Sequence, residues 1–332
     1  MPKLQASPRQ TIATPSARRS FQRRLLVWYD LQKRDLPWRA DRDPYRVWLS
    51  EIMLQQTRVN AVLDHYRRFL KRFPDLRTLA AAREPSVLAA WSGLGYYRRA
   101  RMMHAAAKQV VKEYNGRFPS TSTELRTLPG IGRYTAAAIA SIAFDEPAAV
   151  VDGNVQRVLD RLLGRNLSEN EVWDRAQQLL TRARPGDSNQ ALMELGATVC
   201  TPRQPNCSLC PVRDFCATQG EAPRRLTAPS QRTLNLHCLI DLSQRGLLLV
   251  QRSKDASLMA GMWELPEVAG SALPIEFRVR HSITVTDYSV SVSVGSVPPG
   301  IAGKRFPPSR FASLPLTGLT RKILKRAALW PS

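Results

Sequence analysis

Four cysteines within seventeen residues constrain this 332-residue chain more than any other feature. Cys200, Cys207, Cys210 and Cys216 are spaced C-x6-C-x2-C-x5-C. Thiolates this close along one loop can close around a single metal centre. Zinc loops usually pair two tight C-x2-4-C knuckles. Here only Cys207 and Cys210 are that tight, and Pro202, Pro205 and Pro211 shape the loop. A structural zinc is one alternative; a [4Fe–4S] cluster fits the uneven spacing better. Cys238 stands apart and is expected in a core. Cysteines set as metal ligands suit a reducing compartment.

Charge narrows the partner. The chain carries a formal net charge of +22. The excess is spread over the chain: residues 232–332 hold 13 Lys and Arg against 6 Asp and Glu. A polyanion suits such a surface. No apolar run is long enough to span a bilayer, and no secretory segment is apparent, so a cytoplasmic, nucleoid-associated setting is expected if the chain is bacterial.

The organisation is helical first and β-rich later. Residues 1–20 are rich in Ser, Thr, Pro and Arg and read as a disordered basic tail, with a transit peptide of the same composition as the alternative. From Phe21 to about Cys216, apolar residues recur every three or four positions and Pro or Gly punctuates them. Helical stretches include 45–73, 85–91, 100–114, 134–143 and 155–163. Residues 218–231 read as a linker. Residues 233–242, 246–252 and 278–294 then show strand chemistry, and a basic helix closes the chain at 319–330. The expectation is a helical domain over 21–217, with the metal loop at 200–216, followed by a smaller α/β domain over 232–332.

Three local patterns carry chemistry. Leu125-Arg-Thr-Leu-Pro-Gly-Ile-Gly-Arg-Tyr-Thr-Ala136 looks like a helix-hairpin-helix. Gly130 and Gly132 make its turn, and the next helix opens with outward amides and Arg133, a ready phosphate site. Asp152, in Val150-Val-Asp-Gly-Asn-Val-Gln-Arg157, precedes a helix. It reads as an N-cap, and a carboxylate there is also what a cationic sugar needs beneath it. Glu51 lies on a helix opened by Asp43-Pro44, and its neighbours on the helix face are Val47, Trp48, Leu54 and Gln55. A glutamate on so apolar a stripe is either a misplaced surface residue or a buried acid. Burial raises a carboxyl pKa and makes a proton donor available near neutrality.

Together with Trp48-Leu-Ser-Glu-Ile-Met-Leu-Gln-Gln-Thr57 and Trp91-Ser-Gly-Leu-Gly-Tyr-Tyr97, these motifs resemble the MutY family of adenine DNA glycosylases, within the endonuclease III superfamily. The likeness runs from about Leu36 through Cys216. It implies a mainly α, two-lobed helix-hairpin-helix glycosylase domain with a [4Fe–4S] cofactor on the four cysteines, followed by a Nudix-like α/β domain. Endonuclease III has a lysine shortly after the hairpin glycines, where this chain has Tyr134. A lysine would form a Schiff base and cut the strand; tyrosine implies base removal alone. Carried over by position, Glu51 protonates the leaving adenine and Asp152 stabilises the cationic sugar. Tyr134 and Asn154 support sugar and water. Glu194, in Ala191-Leu-Met-Glu-Leu-Gly196, lines the base pocket, and Gln56 and Tyr96 wedge into the stack when the base flips out. The implied substrate is double-stranded DNA bearing adenine opposite 8-oxoguanine or guanine, met by a monomer; the alternatives are another glycosylase of the superfamily, acting on a mismatch or an oxidised pyrimidine, and a non-catalytic iron–sulfur DNA-binding protein.

The C-terminal region departs from that family. Gly246-Leu-Leu-Leu-Val-Gln-Arg252 and Gly261-Met-Trp-Glu-Leu-Pro266 resemble its Nudix-like domain, but the glutamate-rich metal box of true Nudix hydrolases has no counterpart. Pyrophosphate hydrolysis is therefore not expected. Where the family carries Phe-Ser-His, the register gives Ile283, Thr284 and Val285. Thr284 keeps a hydroxyl for the lesion; the aromatic wedge and the histidine donor are gone, which predicts weaker lesion discrimination.

Overall fold

The computed structural model describes residues 12–220, 232–253, 255–256, 258–268, 273–283 and 286–330. Its first helix, α1 (Pro15–Gln32), starts inside the segment expected to be a disordered tail. Thr14 accepts a hydrogen bond from the Ala17 amide and Pro15 takes the first helical position. The Ser, Thr and Pro content taken for disorder is here the chemistry of a helix start. Phe21, Leu25 and Tyr29 then anchor the helix in a core. Residues 1–11 lie outside the described residues.

Eleven further α-helices follow among the described residues. They are α2 (Pro44–Leu54), α3 (Val59–Arg72), α4 (Leu76–Ala81), α5 (Glu84–Trp91), α6 (Tyr97–Glu113) and α7 (Ser122–Leu125). Next come α8 (Arg133–Ala143), α9 (Gly153–Leu163), α10 (Glu169–Leu179), α11 (Pro185–Thr198) and, near the C-terminus, α12 (Gly318–Arg326). The stretch 45–73, expected as one helix, is two, because Gln56 takes a left-handed φ of 54° and breaks the ladder.

The chain divides into two units. The described residues of Met1–Gln55 and Lys112–Leu226 form one, and those of Gln56–Val111 and Thr227–Ser332 form the other. The middle helices of the helical region thus group with the C-terminal residues. The first unit builds its core from α1, α9, α10 and α11, with Leu25, Val155, Leu159, Leu192 and Phe215 among its members. Both ends of the cysteine loop fasten to that core. Cys200, Cys210 and Cys216 pack against it, and Phe215 stacks edge-on against Phe21.

Among the described residues, the second unit combines α3–α6 with seven strands and α12. Strands β1 (Arg232–Ile240), β5 (Phe277–Ile283) and β6 (Thr286–Val294) form one sheet in the order β1-β6-β5. β1 runs parallel to β6, and β5 is antiparallel to it, with Ile283 paired to Thr286. The other sheet sets β2 (Leu242–Ser243), β3 (Gly246–Gln251) and β4 (Trp263–Glu264) in order, with β7 (Lys304–Phe306) also on β3. The inner faces of both sheets and one face of α12 share a core that includes Leu247, Leu249, Val290, Val292, Phe311 and Ile323. Cys238 belongs to this core, as expected from its isolation.

Candidate active site

Asp43 caps α2 through the Arg46 amide at 3.0 Å, and Pro44 fixes its first turn. The helix turns Glu51 inward, where it is 7% exposed beside buried Val47, Trp48 and Ile52. Burial pushes the Glu51 carboxyl up to about 7. The Tyr134 hydroxyl opposes that rise, Asp152 adds to it and Arg39 works against it. Tyr134, on the first turn of α8, donates its hydroxyl to Glu51 Oε2 at 2.7 Å. Burial and the nearby carboxylates raise the phenol well above its ordinary value, so it stays a donor. Met193 Sδ lies 3.5 Å from the same oxygen.

Asp152 caps α9 as its position suggested. Its Oδ1 accepts from the Asn154 and Val155 amides at 2.9 and 2.8 Å, and its Oδ2 accepts from Asn154 Nδ2 at 2.8 Å. Three N–H groups thus converge on one carboxylate. Asn154 is locked in turn. Arg157 donates to its Oδ1 at 2.8 Å, and Gly196 lies so close that a Cβ there would sit 2.6 Å from Asn154 Cβ. The hydrogen-bonded unit of Glu51 and Tyr134 and the unit of Asp152 and Asn154 therefore belong to one electrostatic site.

Glu194, expected to line the base pocket, lies on α11. It is 1% exposed, and both its oxygens are engaged by arginines. Arg34 donates from its backbone N at 3.2 Å and from Nε at 2.6 Å to Oε1, and from Nη2 at 2.9 Å to Oε2. Arg39 donates to Oε2 at 2.8 Å. Burial alone would raise this carboxyl, but the hydrogen bonds from Arg34 and Arg39 overcome it and hold it at about 2. Four donors fill its acceptor sites, so Glu194 holds Arg34 and Arg39 in place. Arg34 and Arg39 were not singled out in the sequence. Only their density in Lys33-Arg-Asp-Leu-Pro-Trp-Arg39 could have flagged them.

The hairpin is present in the described chain. Gly130 has φ 75° and the Ile131 amide donates to Leu128 O at 3.2 Å. Gly132 then opens α8 with no side chain capping its amides. Arg133 lies over the Trp173 ring at 3.9 Å. In the second unit, both expected wedge residues have left-handed backbones, with φ 54° for Gln56 and 46° for Tyr96. Such values in non-glycine residues store strain of the kind found at functional sites. Tyr96 is 42% exposed. Arg99 reaches both loops: it donates to Thr57 Oγ1 at 3.3 Å and to Leu94 O at 3.2 Å, and it lies over the Tyr96 ring. Thr284 and Val285 lie outside the described residues.

The cysteine loop follows α11. Burial pushes the Cys210 thiol up to about 12, with Cys200, Cys216 and Cys207 adding to it, and burial also raises Cys207. The four sulfurs thus sense one another. Among the described residues no three such side chains converge as ligands of a single ion would. In a four-iron cube each thiolate instead holds its own iron, which spreads the sulfurs. A bound metal centre would hold the cysteines as thiolates. Donors already point at the sulfurs: Arg161 Nη1 lies 3.2 Å from Cys200 Sγ and the Gln219 amide 3.4 Å from Cys216 Sγ. Such hydrogen bonds tune iron–sulfur clusters. Arg161 also donates to the Thr201 and Pro202 carbonyls, and Arg157 joins Asn154 to the Cys200 carbonyl at 2.9 Å. Both arginines went unremarked in the sequence.

Comparison with known proteins agrees with this arrangement. The family described as HhH-GPD superfamily base excision DNA repair protein matches residues 49–181. The iron-sulfur binding domain of endonuclease III matches residues 200–216, and the four cysteines form a [4Fe–4S] site. The chain is 46% identical over 274 residues to an adenine DNA glycosylase of Mus musculus, which covers 77% of this chain and 53% of that protein. It is 50% identical over 212 residues to an adenine DNA glycosylase of Homo sapiens, covering 59% of this chain and 39% of that protein. The chain thus spans about half the length of the curated relatives it matches. Among solved structures, a thermostable thymine-DNA glycosylase is 31% identical with a TM-score of 0.57, covering 61% of this chain and 96% of that one. An endonuclease III in a non-covalent DNA complex shares the fold, at 22% identity and a TM-score of 0.53 over 61% of this chain and 96% of that one.

Proposed function

Because the chain belongs to the HhH-GPD superfamily of base excision DNA repair proteins, we propose that it is a monofunctional DNA glycosylase that removes adenine mispaired with 8-oxoguanine or guanine. The observation that carries this reading is the buried Glu51 raised to about 7 beside the capped carboxylate of Asp152. One carboxyl keeps a large share of its protons near neutrality while the other is surrounded by N–H donors. That division is what glycosidic cleavage requires.

The steps follow from the groups in place. Glu51 delivers its proton to a ring nitrogen of the adenine as the base leaves. The C1′–N9 bond breaks with its electron pair going to the base, and positive charge develops on the sugar. Asp152 faces that charge, and its geometry is fixed by Asn154, which Arg157 holds in turn. Tyr134 steadies the Glu51 carboxyl through its hydroxyl. It cannot form a Schiff base; water instead adds to C1′ and gives its proton to the Glu51 carboxylate, so the product is an abasic site in an uncut strand. The [4Fe–4S] cluster, when bound, supplies a rigid cross-link of the Cys200–Cys216 loop. The hairpin amides and Arg133 fit a DNA phosphate. Tyr96 and Gln56 fit the gap left by an extruded base, and the β5–β6 hairpin fits the opposite base.

The test is a panel of duplexes carrying adenine opposite 8-oxoguanine, adenine opposite guanine, thymine opposite guanine, or an oxidised pyrimidine. Release of adenine alone, with alkali needed to cut the strand, is the expected result. Release of thymine or pyrimidine instead, or cutting without alkali, would overturn it.

A further inference from the structure

The turn that carries Tyr96 is held by the C-terminal residues of its own unit. Tyr97, next in the chain, is 2% exposed and donates its hydroxyl to the Leu316 carbonyl at 2.9 Å. Ser92 Oγ reaches the same carbonyl at 3.3 Å. Arg321, on α12, donates to the Ser92 carbonyl, which His65 Nε2 also approaches at 3.2 Å. Gly93 is needed between them: its φ is 108°, and a Cβ there would lie 2.8 Å from His65 Nε2 and 3.0 Å from Arg321 Nη1. The exposed Tyr96 therefore stands on a turn whose other side is closed by α12 and the residue pair before it.

The same helix touches the β5–β6 hairpin. Lys322 Nζ donates to the Arg280 carbonyl of β5 at 2.6 Å, three residues before Ile283. Leu316 is fully buried and bridges to Trp263 of β4, so the Tyr97 hydroxyl bonds to the sheet core, not to a loose loop. One short element, Leu316–Lys322, thus contacts the hairpin on one side and the Tyr96 turn on the other. Nothing in the glycosidic chemistry uses these contacts.

We propose that Tyr97 is a positioning residue that couples the β5–β6 hairpin to Tyr96 through Leu316 and α12, so that the base met by the hairpin sets how Tyr96 enters the stack. This rests on the glycosylase reading above. Coupling of this kind needs a shared element that both sites bias, and Leu316–Lys322 is that element.

Tyr97→Phe tests it in the full chain. The ring and its packing stay, only the hydroxyl is lost, and Ser92 still bonds the Leu316 carbonyl. Three quantities are read: single-turnover excision opposite 8-oxoguanine and opposite guanine, the fluorescence of 2-aminopurine beside the target adenine as a measure of base extrusion, and the melting temperature. Arg321→Lys, which keeps the charge and loses the fork, is measured in parallel, and Val110→Ala in the α6 core serves as a stability control. The preference for 8-oxoguanine over guanine should fall by about fivefold, the scale of one buried hydrogen bond. Extrusion should fall with it, excision opposite guanine should stay within about twofold, and Arg321→Lys should follow the same pattern. The proposal is overturned if the preference is unchanged in both variants. It is equally overturned if both substrates slow together in proportion to the melting temperature, as in Val110→Ala. A wild type that releases no adenine strikes the glycosylase reading; a wild type that releases it with Tyr97→Phe indistinguishable strikes only this coupling.

Discussion

Two buried glutamates of the first unit, Glu51 on α2 and Glu194 on α11, end at opposite ends of the carboxyl range. Glu51 is pushed up to about 7 and Glu194 is held at about 2. Both lose water on burial, and burial alone raises both. The difference is the company they keep. Glu194 accepts four N–H donors from two arginines, whereas Glu51 has one neutral hydroxyl at 2.7 Å and a second carboxylate in its field. Burial supplies the pressure toward the neutral form, and the partners decide whether it is relieved. A site built this way keeps a proton where chemistry needs one and a fixed anion where architecture needs one.

The sharpest way to break this comparison is Glu51→Gln. The amide preserves the bond with Tyr134 but has no proton to give, so excision should fall by roughly 10²–10⁴-fold, the usual worth of a general acid. Duplex affinity should persist in a binding assay. The same substitution should raise stability at pH 8. A carboxyl at about 7 in the folded chain and 4.5 as its ordinary value binds more protons folded than unfolded between those limits. Stability is therefore full below pH 4.5, falls as pH rises through that window and stays reduced above it, by on the order of 3 kcal/mol. Denaturant melts of both proteins at pH 5 and pH 8 read the difference; equal gaps at the two pH values would contradict it.

Glu194→Gln should work in the other direction. Its carboxyl is depressed to about 2, so its contribution is present above about pH 4.5 and lost as pH falls toward 2. Removing the charge leaves Arg34 and Arg39 without their counter-ion. The cost should be about 2–3 kcal/mol, below the value for a fully buried pair because Arg34 keeps 38% of its side chain in solvent. Excision should fall as well, since Arg39 loses its anchor. A melt unchanged at pH 7 would show that the two glutamates differ less than their partners imply.

The smallest effect belongs to Tyr134→Phe. Its hydroxyl lowers the Glu51 carboxyl, so its loss should move the falling limb of the pH–rate profile upward. Excision at pH 7 should change by less than about tenfold, the scale of one hydrogen bond to a charged group. A downward move would mean that the hydroxyl is not the donor in that pair.

How much of this was legible in the sequence follows the range of each interaction. Asp152 was readable because its partners, the amides of Asn154 and Val155, lie two and three residues away. Glu51 was readable because a helix face is a local pattern, and Val47 and Trp48 announced burial. The arginines of Glu194 were not, because 160 positions separate Arg34 from it and only the packing of α1 against α11 brings them together. Arg157 and Arg161 escaped notice for the same reason: their targets in the cysteine loop lie about forty positions on. The tail reading failed at Thr14–Ser20 because composition cannot distinguish a helix cap from disorder until the buried Phe21 and Leu25 are counted with it. The grouping of α3–α6 with the C-terminal residues rests on contacts such as Tyr97 with Leu316, over two hundred positions apart, and no local pattern carries them.

The central claim is that Glu51 enters the reaction protonated, and the pH dependence of single-turnover adenine excision tests it most directly. With the carboxyl at about 7, the rate should hold near neutrality and fall tenfold per pH unit above it, with an apparent pKa near 7 that shifts upward in Tyr134→Phe. A rate that stays level to pH 9, or that rises as Glu51 ionises, would contradict the account.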